Sequence, residues 1–128
     1  IWSPSMKSNP IPDQLLVKAV SKVEEACGRD LPLYERGIRI DEKLIRATLE
    51  ILNEESAKTL PQNCRNAVLE KTPDGLDARL KLRLGNLRRA NIISDVLAKA
   101  GIVFVIHVPN PATGNSVKGT RLSSEWTW

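Results

Sequence analysis

Residues 76–100 read LDARLKLRLGNLRRANIISDVLAKA, and this stretch decides the fold. At about 100° per residue, the leucines of its first half fall on one narrow stripe of a helix. The apolar residues of its second half fall on nearly the opposite face of the same helix. One straight helix cannot bury both stripes in a single core, so the chain is expected to break between them. The first stripe comprises Leu76, Leu80, Leu84 and Leu87, and the second comprises Ile92, Ile93, Val96, Leu97 and Ala100.

The pair Gly85-Asn86 lies between the two stripes and is suited to such a break. Glycine adopts the left-handed conformation that ends helices at little cost, and asparagine is a good cap for a following helix. We therefore predict a helix, a sharp turn and a second helix over about 87–100. Leu82 lies off the first stripe, and we expect it to contact the N-terminal helices.

A β-hairpin is predicted after the second helix. Residues 102–108 are rich in β-branched side chains and indicate a strand. Residues 109–116 hold two prolines and a glycine, which is typical of a loop. Residues 117–122 then return as a second strand, so the hairpin covers about 102–122.

Residues 83–97, RLGNLRRANIISDVL, resemble the helix-turn-helix of bacterial DNA-binding proteins, where a Leu-Gly turn separates a positioning helix from a recognition helix. Residues 98–103, AKAGIV, look like the exit of a winged-helix recognition helix into a strand. The chain thus resembles the winged helix-turn-helix superfamily over roughly residues 76–122. It departs from the usual pattern at Lys81, where a small residue is common, and at Asn91, where a buried aliphatic residue is common.

The resemblance implies that the second helix lies in the major groove of duplex DNA and that the hairpin acts as a wing. On that basis we predict two sets of contacts, with base edges and with the phosphate backbone. The base-contacting residues are Arg88, Asn91, Ser94 and Asp95. The backbone-contacting residues are Arg79, Arg83, Arg89, Lys99, Lys118 and Arg121.

The N-terminal part is predicted to be a helical support for this motif. Its first helix spans Asp13 to Cys27 and stops at Gly28, and its second is capped by Asp41. A connector over residues 29–40 joins them, and Thr59-Leu60-Pro61 opens a third, shorter helix. The predicted fold is mainly α with a small β-hairpin (α+β). It is one domain over 1–128, with a support region over 13–72 and the winged helix-turn-helix region over 76–128.

Charge divides unevenly along the chain. Residues 1–75 hold 11 Lys and Arg against 12 Asp and Glu, whereas residues 76–128 hold 8 against 3. A basic C-terminal region suits a polyanionic partner. We therefore expect double-stranded DNA as the partner of a regulator, or of the recognition domain of a larger DNA-processing protein, from a bacterium or mobile element. A winged-helix module for protein–protein contacts, without nucleic acid, is the alternative.

Other chemistry finds little support in the residues. Cys27, Cys64 and His107 lack the spacing of a metal site, and no glycine-rich phosphate loop or nucleophile–base pattern is evident. We expect a protein that is not itself an enzyme, with no metal and no cofactor. No apolar run of about 18 residues is present, so we expect a cytoplasmic protein without a membrane span.

The two ends of the chain carry all three tryptophans, Trp2, Trp126 and Trp128. Trp126 is expected to fold back on the hairpin or the first helix, and a homodimer contact through these aromatic rings is an alternative. The chain begins at Ile1, which indicates a piece of a longer parent chain or first residues that are not native.

Overall fold

The computed structural model describes residues 9–62, 75–85, 87–109 and 114–128. These residues form an α+β fold with two antiparallel sheets. The helices are α1 (Asp13–Cys27), α2 (Glu42–Glu54), α3 (Leu76–Leu84) and α4 (Ala90–Lys99), followed by a 3-10 turn at Ser124–Trp126. The strands are β1 (Leu33–Glu35), β2 (Ile38–Ile40), β3 (Thr59–Pro61), β4 (Val103–Pro109) and β5 (Ser116–Leu122).

The first helix has the predicted bounds, and the second begins directly after its predicted cap. Gly28 ends α1 in the left-handed conformation, with φ 67°. The Asp41 carboxylate caps α2, because its Oδ1 accepts a hydrogen bond from the Leu44 amide at 2.9 Å. Between these helices, the connector is more ordered than expected, since β1 and β2 pair as a hairpin over residues 33–40.

The predicted helix that opens at Thr59-Leu60-Pro61 is wrong at its start. These residues form β3, which pairs antiparallel with β5 so that Leu60 lies opposite Thr120. Proline is tolerated there because β3 is an edge strand of the sheet ordered β3-β5-β4. The remainder of that predicted helix, around Cys64 to Val68, lies outside the described residues.

The predicted hairpin is present as β4 and β5. Its register places Val103 opposite Leu122 and Pro109 opposite Ser116, within a residue of the expected ends. Among the described residues, β3 converts this hairpin into a three-stranded sheet.

The long segment breaks as predicted. Helix α3 ends at Leu84, and Gly85 follows with φ 112°, a conformation that residues with a side chain rarely adopt. Helix α4 begins at Ala90, three residues later than expected, and Asn86 lies outside the described residues.

Both apolar stripes face one core because of this break. The core members Leu76, Leu80, Ile93 and Leu97 are each 0% exposed. Leu87 is 54% exposed, because the chain has left the helix before it reaches the end of the stripe. Leu82 is 82% exposed, so the expectation that it contacts the support helices is wrong.

Two side chains cross the break in opposite directions. The Asp77 carboxylate of α3 accepts hydrogen bonds from the amides of Arg89 and Ala90 at 3.0 and 3.2 Å, which caps α4. The Arg89 guanidinium donates back to the carbonyls of Gly85 and Leu84 at 3.0 and 3.4 Å, at the end of α3. Each helix thus satisfies free backbone groups of the other, which fixes their relative placement.

The C-terminus folds back on the first helix, as expected for Trp126. That ring is 4% exposed, and the Lys18 ammonium lies 5.2 Å from its centroid. Trp128 donates from its indole nitrogen to the Asn9 carbonyl at 3.0 Å. Trp2 lies outside the described residues, and the homodimer stays a prediction.

Asp77→Ala is expected to lower the free energy of unfolding by about 2 kcal/mol, because the partly buried amide of Arg89 and the buried amide of Ala90 lose their acceptor. Asp77→Asn retains one oxygen acceptor and should lose less. Urea denaturation measures both changes, with Asp30→Ala as an exposed control. Equal stability of the Ala variant and the wild type would contradict the capping role.

Candidate nucleic-acid interface

One strip of helix α4 faces solvent, and we call it the α4 ridge. It begins at Arg88, just before the helix, and continues through Asn91, Asp95 and Lys99, all of which are exposed. Their spacing of three or four residues places them along one line of the helix surface. Most of the remaining helix surface is buried in the core, which leaves the ridge narrow.

Ser94 is not part of the α4 ridge, and its prediction as a base contact is wrong. Its side chain is 0% exposed, and its hydroxyl lies 2.6 Å from that of Thr120 on β5. The Gln62 amide donates to the same Thr120 oxygen at 3.2 Å. These three buried polar groups connect α4 to the sheet, so Ser94 has a structural role.

Asp95 has a partner that the sequence does not reveal. Its Oδ2 accepts a hydrogen bond from Arg36 Nη2 at 2.7 Å, and both side chains are about half exposed. Arg36 lies in the turn between β1 and β2, so this ion pair joins the first hairpin to the α4 ridge. The two residues are 59 positions apart, beyond the reach of any local pattern.

Three of the predicted phosphate-binding arginines have protein partners. Arg79 forms an ion pair with Glu55, and Arg83 Nη2 lies 2.7 Å from Glu50 Oε1. Arg89 binds the carbonyls at the end of α3. All three side chains contact the helical framework: Arg79 contacts Glu55, just after the end of α2, and Arg83 contacts Glu50 within α2.

Glu50 makes the Arg83 contact important for stability. Glu50 is only 7% exposed, and its Oε2 accepts a hydrogen bond from the Ile11 amide at 2.9 Å. A buried carboxylate needs such partners to offset the loss of hydration. Arg83 therefore compensates a buried charge in the core.

The predicted cations of the wing lie on opposite faces of the hairpin. Successive residues of a strand alternate between faces, so Lys118 shares the face of Thr120, which bonds to α4. Arg121 lies on the other face, where its guanidinium stacks 5.4 Å from the Phe104 ring centroid. Lys118 is thus on the same side of the sheet as α4, whereas Arg121 is on the far side.

A shallow pocket of about 190 Å³ separates the first hairpin from the turn between α3 and α4. Arg39 and Lys43 give it a basic rim, although Arg39 Nε also pairs with Asp41 Oδ2 at 3.4 Å. The lining residues are Ile38, Arg39, Asp41, Lys43, Leu44, Leu84, Leu87 and Arg89.

The titratable and thiol side chains of the described residues form no site for other chemistry that involves a metal ion. The described residues contain no group of three His, Cys, Asp or Glu side chains that could hold a metal ion. Cys27 is a partly buried free thiol, Cys64 lies outside the described residues, and His107 is exposed on β4. No described helix is long and apolar enough to cross a membrane.

No protein-family model, curated protein or solved structure matches the chain.

Ser94→Ala is expected to lower the free energy of unfolding by about 1 kcal/mol, because the buried Thr120 hydroxyl loses a partner. Duplex affinity, measured well below the unfolding temperature, should not change. Ser21→Ala, at an exposed position of α1, is the matched control. If the Ser94→Ala variant is as stable as the wild type but binds duplex DNA more weakly, Ser94 is part of the interface.

Arg83→Ala is expected to destabilise the fold by about 2 kcal/mol, because the buried Glu50 side chain loses its cationic partner. Arg46→Ala provides a comparison, since its i,i+4 pair with Glu42 is exposed and contributes little. Thermal unfolding followed by circular dichroism reports the difference. Similar melting temperatures for the two variants would show that the buried pair is unimportant.

Proposed function

We propose that this chain is a winged helix-turn-helix module that binds double-stranded DNA, as a regulator or as the recognition domain of a larger DNA-processing protein. The observation that carries the proposal is the α4 ridge. Arg88, Asn91 and Lys99 are exposed there and make no ion pair or hydrogen bond with other described side chains, and Lys118 lies on the same side of the sheet.

The order of elements supports the proposed fold. Helix α2, strand β3, helices α3 and α4, and strands β4 and β5 follow one another, with β3 added to the edge of the hairpin beside β5. A helix pair followed by a two-stranded hairpin is the order of winged-helix domains, and α3, α4, β4 and β5 follow that order.

The chemistry of the ridge suits a major groove. Arg88 and Asn91 lie at the N-terminal end of α4, where recognition helices meet base edges. Arginine donates two hydrogen bonds to guanine, and asparagine pairs with adenine in the same bidentate manner. Lys99 and Lys118 would then bind phosphates on either side, and these contacts set the register without reading sequence.

Binding should be tested by fluorescence anisotropy with labelled random duplexes over a range of salt concentrations. With the two phosphate contacts of Lys99 and Lys118, the logarithm of the affinity should fall linearly with the logarithm of the salt concentration, at a slope of roughly −1.8. On a site selected from random sequences, Arg88→Ala and Asn91→Ala should each lose about 1–3 kcal/mol of binding.

Lys22→Ala is the matched control, because it removes one exposed positive charge from α1 and leaves the ridge intact. Lys22→Ala should change the duplex affinity by no more than about twofold, as expected for a distant charge at moderate salt. If Arg88→Ala and Lys22→Ala weaken binding equally, the α4 ridge is not the recognition surface.

The alternative, a protein-interaction module, is favoured by apolar side chains at the end of α3 and beyond it. Leu82 and Leu87 are 82% and 54% exposed. This alternative predicts no duplex binding even at low salt, so the same titration separates the two functions.

A further inference from the structure

We propose that the turn between β1 and β2 is a third element of the DNA interface, in which Arg36 neutralises Asp95 so that the α4 ridge can approach the duplex. This inference rests on the proposed function. It makes Arg36 a positioning residue, which acts through the ion pair with Asp95 at 2.7 Å.

The backbone of Arg36 adopts a positive φ, which supports the proposal. Glu35 pairs with Ile38, so the hairpin turns through two residues, Arg36 and Gly37, with φ 46° and 81°. Positive φ at both positions defines a type I′ turn, which favours asparagine or glycine at the first position. An arginine is conformationally unfavourable there, and strained residues of this kind concentrate at functional sites.

The negative charge of Asp95 on the α4 ridge also supports the proposal. Asp95 is the only acid on the α4 ridge, between Asn91 and Lys99. A carboxylate that is pressed against phosphates or base edges loses its hydration, and an unpaired buried charge is strongly unfavourable in an interface. The Arg36 guanidinium removes that penalty, because the pair enters the interface with no net charge and a hydrogen bond already formed.

The charge of the neighbouring surface supports the proposal as well. Arg39 on β2 and Lys43 at the start of α2 line the pocket that also touches Leu87 and Arg89 of the turn before α4. Of these two cations, Arg39 pairs with Asp41 at 3.4 Å, and Lys43 has no ion pair among the described residues, so Lys43 is the cation that this surface offers to a duplex.

Arg36→Asn is the decisive variant, because asparagine fits a type I′ turn and cannot reach Asp95 as arginine does. Its unfolding midpoint should equal or exceed that of the wild type. Duplex affinity should nevertheless fall about tenfold to fiftyfold, since Asp95 would be buried without its partner. Arg29→Asn is the matched control, because Arg29 is also half exposed and paired within the first hairpin, to Glu35.

A double-mutant cycle with Asp95→Asn identifies the mechanism. In the Asp95→Asn background there is no charge to neutralise, so Arg36→Asn should lose no more than about threefold in affinity. Asp95→Asn alone should bind random duplexes as well as the wild type or better. This second variant leaves the sequence of the β1–β2 turn unchanged.

Three results would overturn the inference, and they are distinguishable. Equal losses from Arg36→Asn in both backgrounds would show that Arg36 contributes to binding independently of Asp95. No loss from Arg36→Asn, together with a loss from Arg88→Ala, would remove the first hairpin from the interface and leave the proposed function standing. Absence of duplex binding by the wild-type chain would overturn both.

Discussion

The placement of α4 depends on two capping contacts across the Gly85 break. Asp77 accepts from the first amides of α4, and Arg89 donates to the last carbonyls of α3. Both contacts join elements that a straight helix would have kept collinear, and both satisfy backbone groups that helix ends leave free. Because the two helices are held in this way, their apolar stripes meet in one core and a single polar strip of α4 remains outside.

Packing on several sides explains why that strip is narrow. Most aliphatic residues of α4 enter the core, and Ser94 bonds to Thr120 on the sheet, so the exposed positions are confined to the line from Arg88 to Lys99. A narrow ridge limits the number of side chains that can read a groove directly. It also raises the importance of each one, which is why the pairing of Asp95 with Arg36 matters to the surface as a whole.

Local patterns predicted the features that depend on neighbouring residues. The helix break, the cap at Asp41 and the stop at Gly28 follow from periodicity and side-chain chemistry within one or two turns. The strand at Thr59–Pro61 was missed because three residues show no period, and its partner strand lies about 60 positions away in sequence. The acids that pair with Arg79 and Arg83 are not evident for the same reason, since Glu55 and Glu50 lie 24 and 33 positions away in sequence. The burial of Ser94 is not evident either, because its partner Thr120 lies on β5.

The surface charge is the feature for which the structure differs most from the expectation based on sequence. The C-terminal region carries 8 Lys and Arg against 3 Asp and Glu, yet several of these cations are neutralised by acids of both regions. Arg79 and Arg83 pair with Glu55 and Glu50, and Lys81 Nζ lies 3.3 Å from Asp77 Oδ2. Conversely, the acidic N-terminal region supplies Arg36 to the ridge. A division of the chain into basic and acidic parts therefore gives the wrong distribution of surface charge. The charge that a partner meets depends on which cations the fold has already paired with acids. On the α4 ridge, Arg88 and Lys99 are the cations that no described acid compensates.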